Sequence, residues 1–96
     1  MAAERSSIAG PVLQAGERGR AVLQAIVELN PGAQIIDQGA YIRIQVPDKC
    51  VLTRAAVEKI TGLPFHIPGD LELVMPSFQG WLVVTPERVE WRGRRP

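Results

Sequence analysis

The sequence predicts an α+β fold: antiparallel sheet with two helices packed on one face, in the order β-α-β-β-α-β-β-β. Three observations carry this. Glu17–Leu29 and Arg54–Thr61 place apolar residues at helical spacing. Residues 40–46 alternate cleanly, with Ile42, Ile44 and Val46 on one side and Tyr41, Arg43 and Gln45 on the other. Short turns rich in Gly and Pro separate the extended segments, which implies hairpins and therefore antiparallel pairing.

Along the chain, residues 1–7 read as a flexible polar tail. Ile8, Val12 and Leu13 surround Gly10-Pro11 and form a first strand, with Pro at its beginning or edge. In the first helix Val22, Ala25, Ile26 and Leu29 make the apolar face, flanked by Leu23 and Val27. Gly19 near its start is a poor helix former, so the helix is free to begin only at Arg20. Asn30-Pro31-Gly32 ends it.

Residues 33–37 and 40–46 flank Gln38-Gly39 as a hairpin. A loop at 47–49 and apolar residues 50–52 lead to Thr53, a good N-cap for the second helix. Ala56, Val57 and Ile60 form its inner face, Gly62 terminates it, and Pro64 prevents resumption. Leu71, Leu73 and Met75 alternate with Glu72 and Val74, which predicts a strand broken by Pro76. Residues 77–80 turn a corner. Residues 81–85 and 88–91 form a last hairpin around Pro86-Glu87. The expected organisation is one domain over 8–92, with a short basic tail at 93–96.

Composition bounds the function. A chain of 96 residues has room for one small core and usually not for a deep substrate pocket as well. Eleven basic against ten acidic residues give a net charge of +1, too little for long-range attraction to nucleic acid or to an anionic membrane. One cysteine permits no internal disulfide, and one histidine no cluster of ligands. No run approaches the ~20 apolar residues of a membrane helix. An unpaired Cys50 and no signal-like N-terminus point to the cytoplasm.

Chemistry-bearing patterns are sparse. His66 stands alone in a Pro-flanked turn, and Cys50 reads as a small buried hydrophobe. Asp70 and Glu72 would share a strand face, where a solvated role is the simpler reading. No glycine cluster follows a strand to build a phosphate loop, and no nucleophile–base pair can be assembled. Arg88, Arg92, Arg94 and Arg95 with Trp91 make a basic, aromatic end that fits a solubilising tail or a docking rim. The least ordinary segment is Ser77-Phe78-Gln79-Gly80: a tight corner with Phe78 as plug, or an apolar knob suited to a partner's groove.

Several segments in order resemble a known family. They are Gly10-Pro11-Val12-Leu13 with Ala15-Gly16, Asn30-Pro31-Gly32, Tyr41-Ile42-Arg43-Ile44 and Leu52-Thr53-Arg54. Gly62-Leu63-Pro64-Phe65, Leu71-Glu72-Leu73, Ser77-Phe78-Gln79-Gly80 and Val89-Glu90-Trp91 follow. The ordered set resembles the effector (coupling, regulatory) proteins of bacterial multicomponent di-iron monooxygenases, nearest the toluene and alkene branch. Trp81 is bulkier than that pattern expects, and the N-terminal tail is short.

The resemblance implies a non-catalytic protein with no metal, flavin or other cofactor. It implies docking on the large subunit of a di-iron hydroxylase near its active site, gating of substrate and oxygen, and coupling of electron delivery to oxidation. It further implies a surface shared with, or contested by, a Rieske ferredoxin or reductase. The expected contact face comprises Ser77, Phe78, Gln79 and Gly80, with Asn30, Tyr41 and Arg43 added from expected exposure. Residues 6–10 are candidates for ordering on binding. The alternative is a small ferredoxin-like RNA-binding or ligand-sensing module using Tyr41, Trp81 and Trp91 on an exposed sheet.

Overall fold

Strand β1 (Ile8–Gln14) lies at the centre of the first sheet, and its sequence shows why it can be buried on both sides. Ala9, Gly10, Pro11, Val12 and Leu13 offer no charge to either face. A computed structural model describes residues 7–93. In it β1 pairs antiparallel with β3 (Tyr41–Pro47) on one side and with β5 (Ser77–Gln79) on the other. Strand β2 (Gln34–Asp37) completes the order β2-β3-β1-β5. Pro11 therefore stands inside a central strand rather than at the expected beginning or edge. The β1–β3 ladder tolerates it by pairing Ile8 and Ala9 and resuming at Val12, so the gap falls where Pro has no N–H to donate.

The second sheet has the order β4-β7-β6, from β4 (Lys49–Thr53), β7 (Arg88–Arg92) and β6 (Trp81–Val84). Residues 50–52, read from sequence only as an apolar lead-in, are part of strand β4. Asp48 joins β3 to β4 at a positive φ of 69°. Its N–H donates to Ser7 O at 2.8 Å, and its own carbonyl accepts from Gly93 N–H at 2.7 Å. Ser7 and Gly93, assigned to the tails by sequence, thus belong to the fold; the remaining tail residues lie outside the described ones.

Helix α1 (Glu17–Leu29) buries Gly19, Val22, Ala25 and Ile26. It starts at Glu17, not at Arg20, because Gly19 is needed: a Cβ there would run into Gln14 O at the end of β1. Leu29 and Val27 remain partly exposed at its edge. Helix α2 (Arg54–Thr61) has the expected limits. The Thr53 hydroxyl accepts from Ala56 N–H at 3.2 Å, and Gly62 closes it in the left-handed conformation.

The segment expected as a strand over 71–75 is a short helix, α3 (Gly69–Val74). Its buried pair is Leu71 and Val74, three apart, and Leu73 faces water. Five residues are too few to separate the two periodicities. The fold class stands as predicted: antiparallel sheets with helices packed against them. One core joins the parts, from Ala9 and Leu13 through Val22, Ile26 and Ile44 to Leu52, Val89 and Trp91.

Candidate interaction surface

The corner predicted at 77–80 is a seam. Strand β5 is one outer strand of the first sheet, β6 is one outer strand of the second, and Gly80 joins them directly. Gly80 has φ 101°, and a Cβ on it would sit 2.6 Å from Arg92 O and 3.0 Å from the Ala9 side chain. Only glycine lets the chain cross this contact between the two sheets. Residues 77–84 therefore form one continuous rim.

Strand register then assigns the candidate residues to faces, because directly paired residues in a sheet share a side. Ile36, Arg43, Val12 and Ser77 form a row across all four strands. Gln14 and Tyr41 pair in the next row. On the other flank Gln45 Nε2 donates to Gln79 Oε1 at 3.2 Å. Gly10, which pairs with Gln79, makes this bridge possible. It has φ 147°, and a Cβ on it would collide with the Ile44 carbonyl. Tyr41, Arg43, Ser77 and Gln79 thus share the outer face of the first sheet. Phe78 alternates to the other side and pairs with Pro11, yet stays 42% exposed because no strand lies beyond β5.

Asn30 does not belong with them. It is buried, and both ends of its carboxamide are engaged: Nδ2 donates to Ile26 O at 2.7 Å and to Val51 O at 2.8 Å, and Oδ1 accepts from Val51 N–H at 2.9 Å. It acts as a one-residue strand that closes the free edge of β4. Residues 7–10 also need correcting as candidates for ordering on binding. Ile8–Gly10 are already in β1 and Ser7 is hydrogen-bonded, whereas Ser6 lies outside the described residues.

The remaining chemical candidates settle into structural roles. Asp70 Oδ2 accepts from His66 N–H at 2.8 Å and lies 3.4 Å from His66 Nδ1. That backbone bond is the main reason the Asp70 carboxyl is held below its ordinary range. Asp70 and Glu72 lie on a helix, so they do not share the face a strand would give them. Cys50 is fully buried, and burial pushes its thiol up to about 12, which leaves it inert at neutral pH. No three of His, Cys, Asp and Glu gather at metal distance among the described residues. No helix among them is long and apolar enough to cross a membrane. Trp91 is fully buried, so it cannot serve an exposed aromatic platform.

Sequence reasoning named one exposed feature only for the alternative reading and missed a second. Trp81, first residue of β6, is 64% exposed on the rim. Ile35 and Ile36 on the outer strand β2 are both about two-fifths exposed. The signal for the second was available, since adjacent isoleucines on a strand must face opposite sides.

Comparison with known proteins fixes the relationship. An alkene monooxygenase system effector subunit from Xanthobacter autotrophicus (strain ATCC BAA-1158 / Py2) is 34% identical over 87 residues, covering 88% of this chain and 85% of that protein. A chain in the structure of a phenol hydroxylase–regulatory protein complex superposes with a TM-score of 0.84 at 23% identity, covering 91% of this chain and 99% of that one. At that identity the likeness speaks for the fold alone. A second such structure gives a TM-score of 0.76 at 27% identity, covering 88% and 99%. The sequence model of the MmoB/DmpM family matches residues 7–92, and the chain belongs to that family.

Proposed function

We propose that this protein is the effector of a multicomponent di-iron monooxygenase of the toluene or alkene type. It performs no bond chemistry of its own, acts in the cytoplasm and binds the hydroxylase component. There it governs access of substrate and oxygen and couples electron transfer to hydroxylation or epoxidation. A Rieske ferredoxin or reductase shares or contests the same hydroxylase surface. The observation that carries this reading is the near end-to-end match to the alkene monooxygenase effector subunit.

The contact surface we favour is the rim and the outer face beside it: Ser77, Phe78, Gln79 and Gly80, with Tyr41 and Arg43. A ligand changes a partner's state only by binding one state better than the other. Moving a partner from mostly inactive to mostly active takes about 5 kcal/mol of differential affinity. A standard interface uses about 800 Å² of each partner, and this chain exposes 5735 Å². The rim and the adjoining face can supply that share with an aromatic anchor inside a polar border.

The test is reconstitution with the hydroxylase and electron donor encoded beside it. Product formed per NADH consumed should rise on adding this protein, in saturable fashion. An oxygenase that runs as fast and as well coupled without it would overturn the reading, as would substrate turnover by the purified chain alone.

A further inference from the structure

We propose that the outer face of the β4-β7-β6 sheet is a docking surface for an acidic protein segment, which lies across Lys49, Arg92 and Trp81. Register sets these three in one row over the three strands. The next rows hold Val51, Glu90 and Val83, then Thr53 and Arg88. Cations and an indole therefore lie side by side on a flat face, with Trp81 at its open edge and 64% exposed.

Glu90 gives the face its order. Arg88 grips Glu90 Oε2 through Nε at 2.8 Å and Nη2 at 2.7 Å. Arg92 grips Oε1 through Nε and Nη2, both at 2.9 Å. Each guanidinium is thereby held in a two-point fork, with its Nη1 edge unpartnered among the described residues. Both arginines stay about half exposed, while Glu90 is mostly covered. The carboxylate cancels one charge and fixes two sets of donors in advance, which removes part of the ordering cost of binding.

Charge points to the occupant. Lys49, Arg88 and Arg92 against Glu90 leave +2 on this face, whereas the whole chain carries +1, so everything else sums to −1. Arg94 and Arg95, which follow β7 in the sequence, add another +2, so the rest of the chain sums to −3. Arginine and tryptophan are also the residues that most often anchor protein interfaces. A nucleic acid is disfavoured because Glu90 sits among the cations and the excess is small. The proposal does not depend on the effector reading: the face would bind an acidic segment even if the chain activated no hydroxylase.

The experiment titrates the full chain, labelled with ¹⁵N, with the acetylated peptide Glu-Glu-Phe-Glu-Glu-Phe-Glu-Glu at low and high salt. The indole N–H of Trp81 and the Nε–H of Arg88 and Arg92 should shift first and saturate, with affinity falling as salt rises. Arg92→Gln and Trp81→Ala should each weaken binding about fivefold or more, and Trp81→Ala, at a side chain 64% exposed, should melt as the wild type does. The proposal is overturned if those resonances stay fixed at millimolar peptide, or if the shifts centre on another face. Tighter binding of a DNA oligonucleotide of equal charge, at the same salt, would also overturn it.

Discussion

Two edges of this small sheet protein are treated in opposite ways. The free edge of β4 is closed from within: Asn30, at the end of α1, offers its carboxamide to both the N–H and the C=O of Val51. The rim at 77–84 is left open, with Phe78 partly and Trp81 largely in water. An open edge is a liability that proteins usually shorten, charge or cover. Here β5 has only three residues and follows Pro76, so the open edge offers little backbone to another strand and still presents an aromatic side chain. The contrast sets a polar group used for stability against apolar groups left free for the proposed contact.

The largest expected effect is at the support beneath the rim. Gly10→Ala should cost about 4 kcal/mol or more, because its φ of 147° and the Ile44 carbonyl both exclude a side chain. Chemical denaturation would show it, and a loss below about 1 kcal/mol would mean that β1 relaxes freely there. Next is the closed edge. Asn30→Ala strands the Val51 N–H and C=O and the Ile26 carbonyl, and should cost about 2–4 kcal/mol. Conversion of a hydroxylase to its active state should then suffer only through lost stability, and return to normal at low temperature.

The open rim should behave in the converse way. Phe78→Ala is expected to lower hydroxylase affinity or activation about tenfold, equal to about 1.4 kcal/mol. Its folding stability should change by about 1 kcal/mol or less, since the ring is 42% exposed. Wild-type turnover and coupling in this variant would remove Phe78 from the contact surface. A fall in stability equal to that of Asn30→Ala would make it a plug instead.

The same contrast explains what was legible in sequence. The second helix could be read to the residue, because Thr53, Gly62 and the apolar positions between them are local signals. Asn30 read as an exposed turn residue because its partner, Val51, lies 21 positions away and on a strand the sequence did not announce. The 77–80 segment stood out by composition, but its role as the seam of two sheets depends on Ala9 and Arg92, which only the folded chain brings together. Over 69–74 the alternation of leucines imitated a strand, and the hydrogen bonds that Asp70 exchanges with His66 at the start of the helix are invisible to periodicity. Local chemistry was legible; pairing between distant segments was not.

The smallest expected effect distinguishes a neutral seal from an ionic one. Asn30 does not titrate, so acid should leave the β4 edge intact. Glu90 does: the Arg92 hydrogen bond, then that of Arg88, holds its carboxyl below the ordinary value of 4.5. A carboxyl depressed by folding stabilises the native state fully above its unfolded pKa, and the gain disappears as pH falls through the folded value. The clamp across β7 should therefore weaken only below pH 4.5, by about 1 kcal/mol at most given its partly exposed arginines. Urea midpoints measured from neutral to strongly acidic pH should decline there for the wild type. The decline should be shallower for Glu90→Gln, with the rest following Asp70, whose carboxyl is also depressed. Equal slopes for the two proteins would show that the Arg88–Glu90–Arg92 clamp orders the face without stabilising the fold.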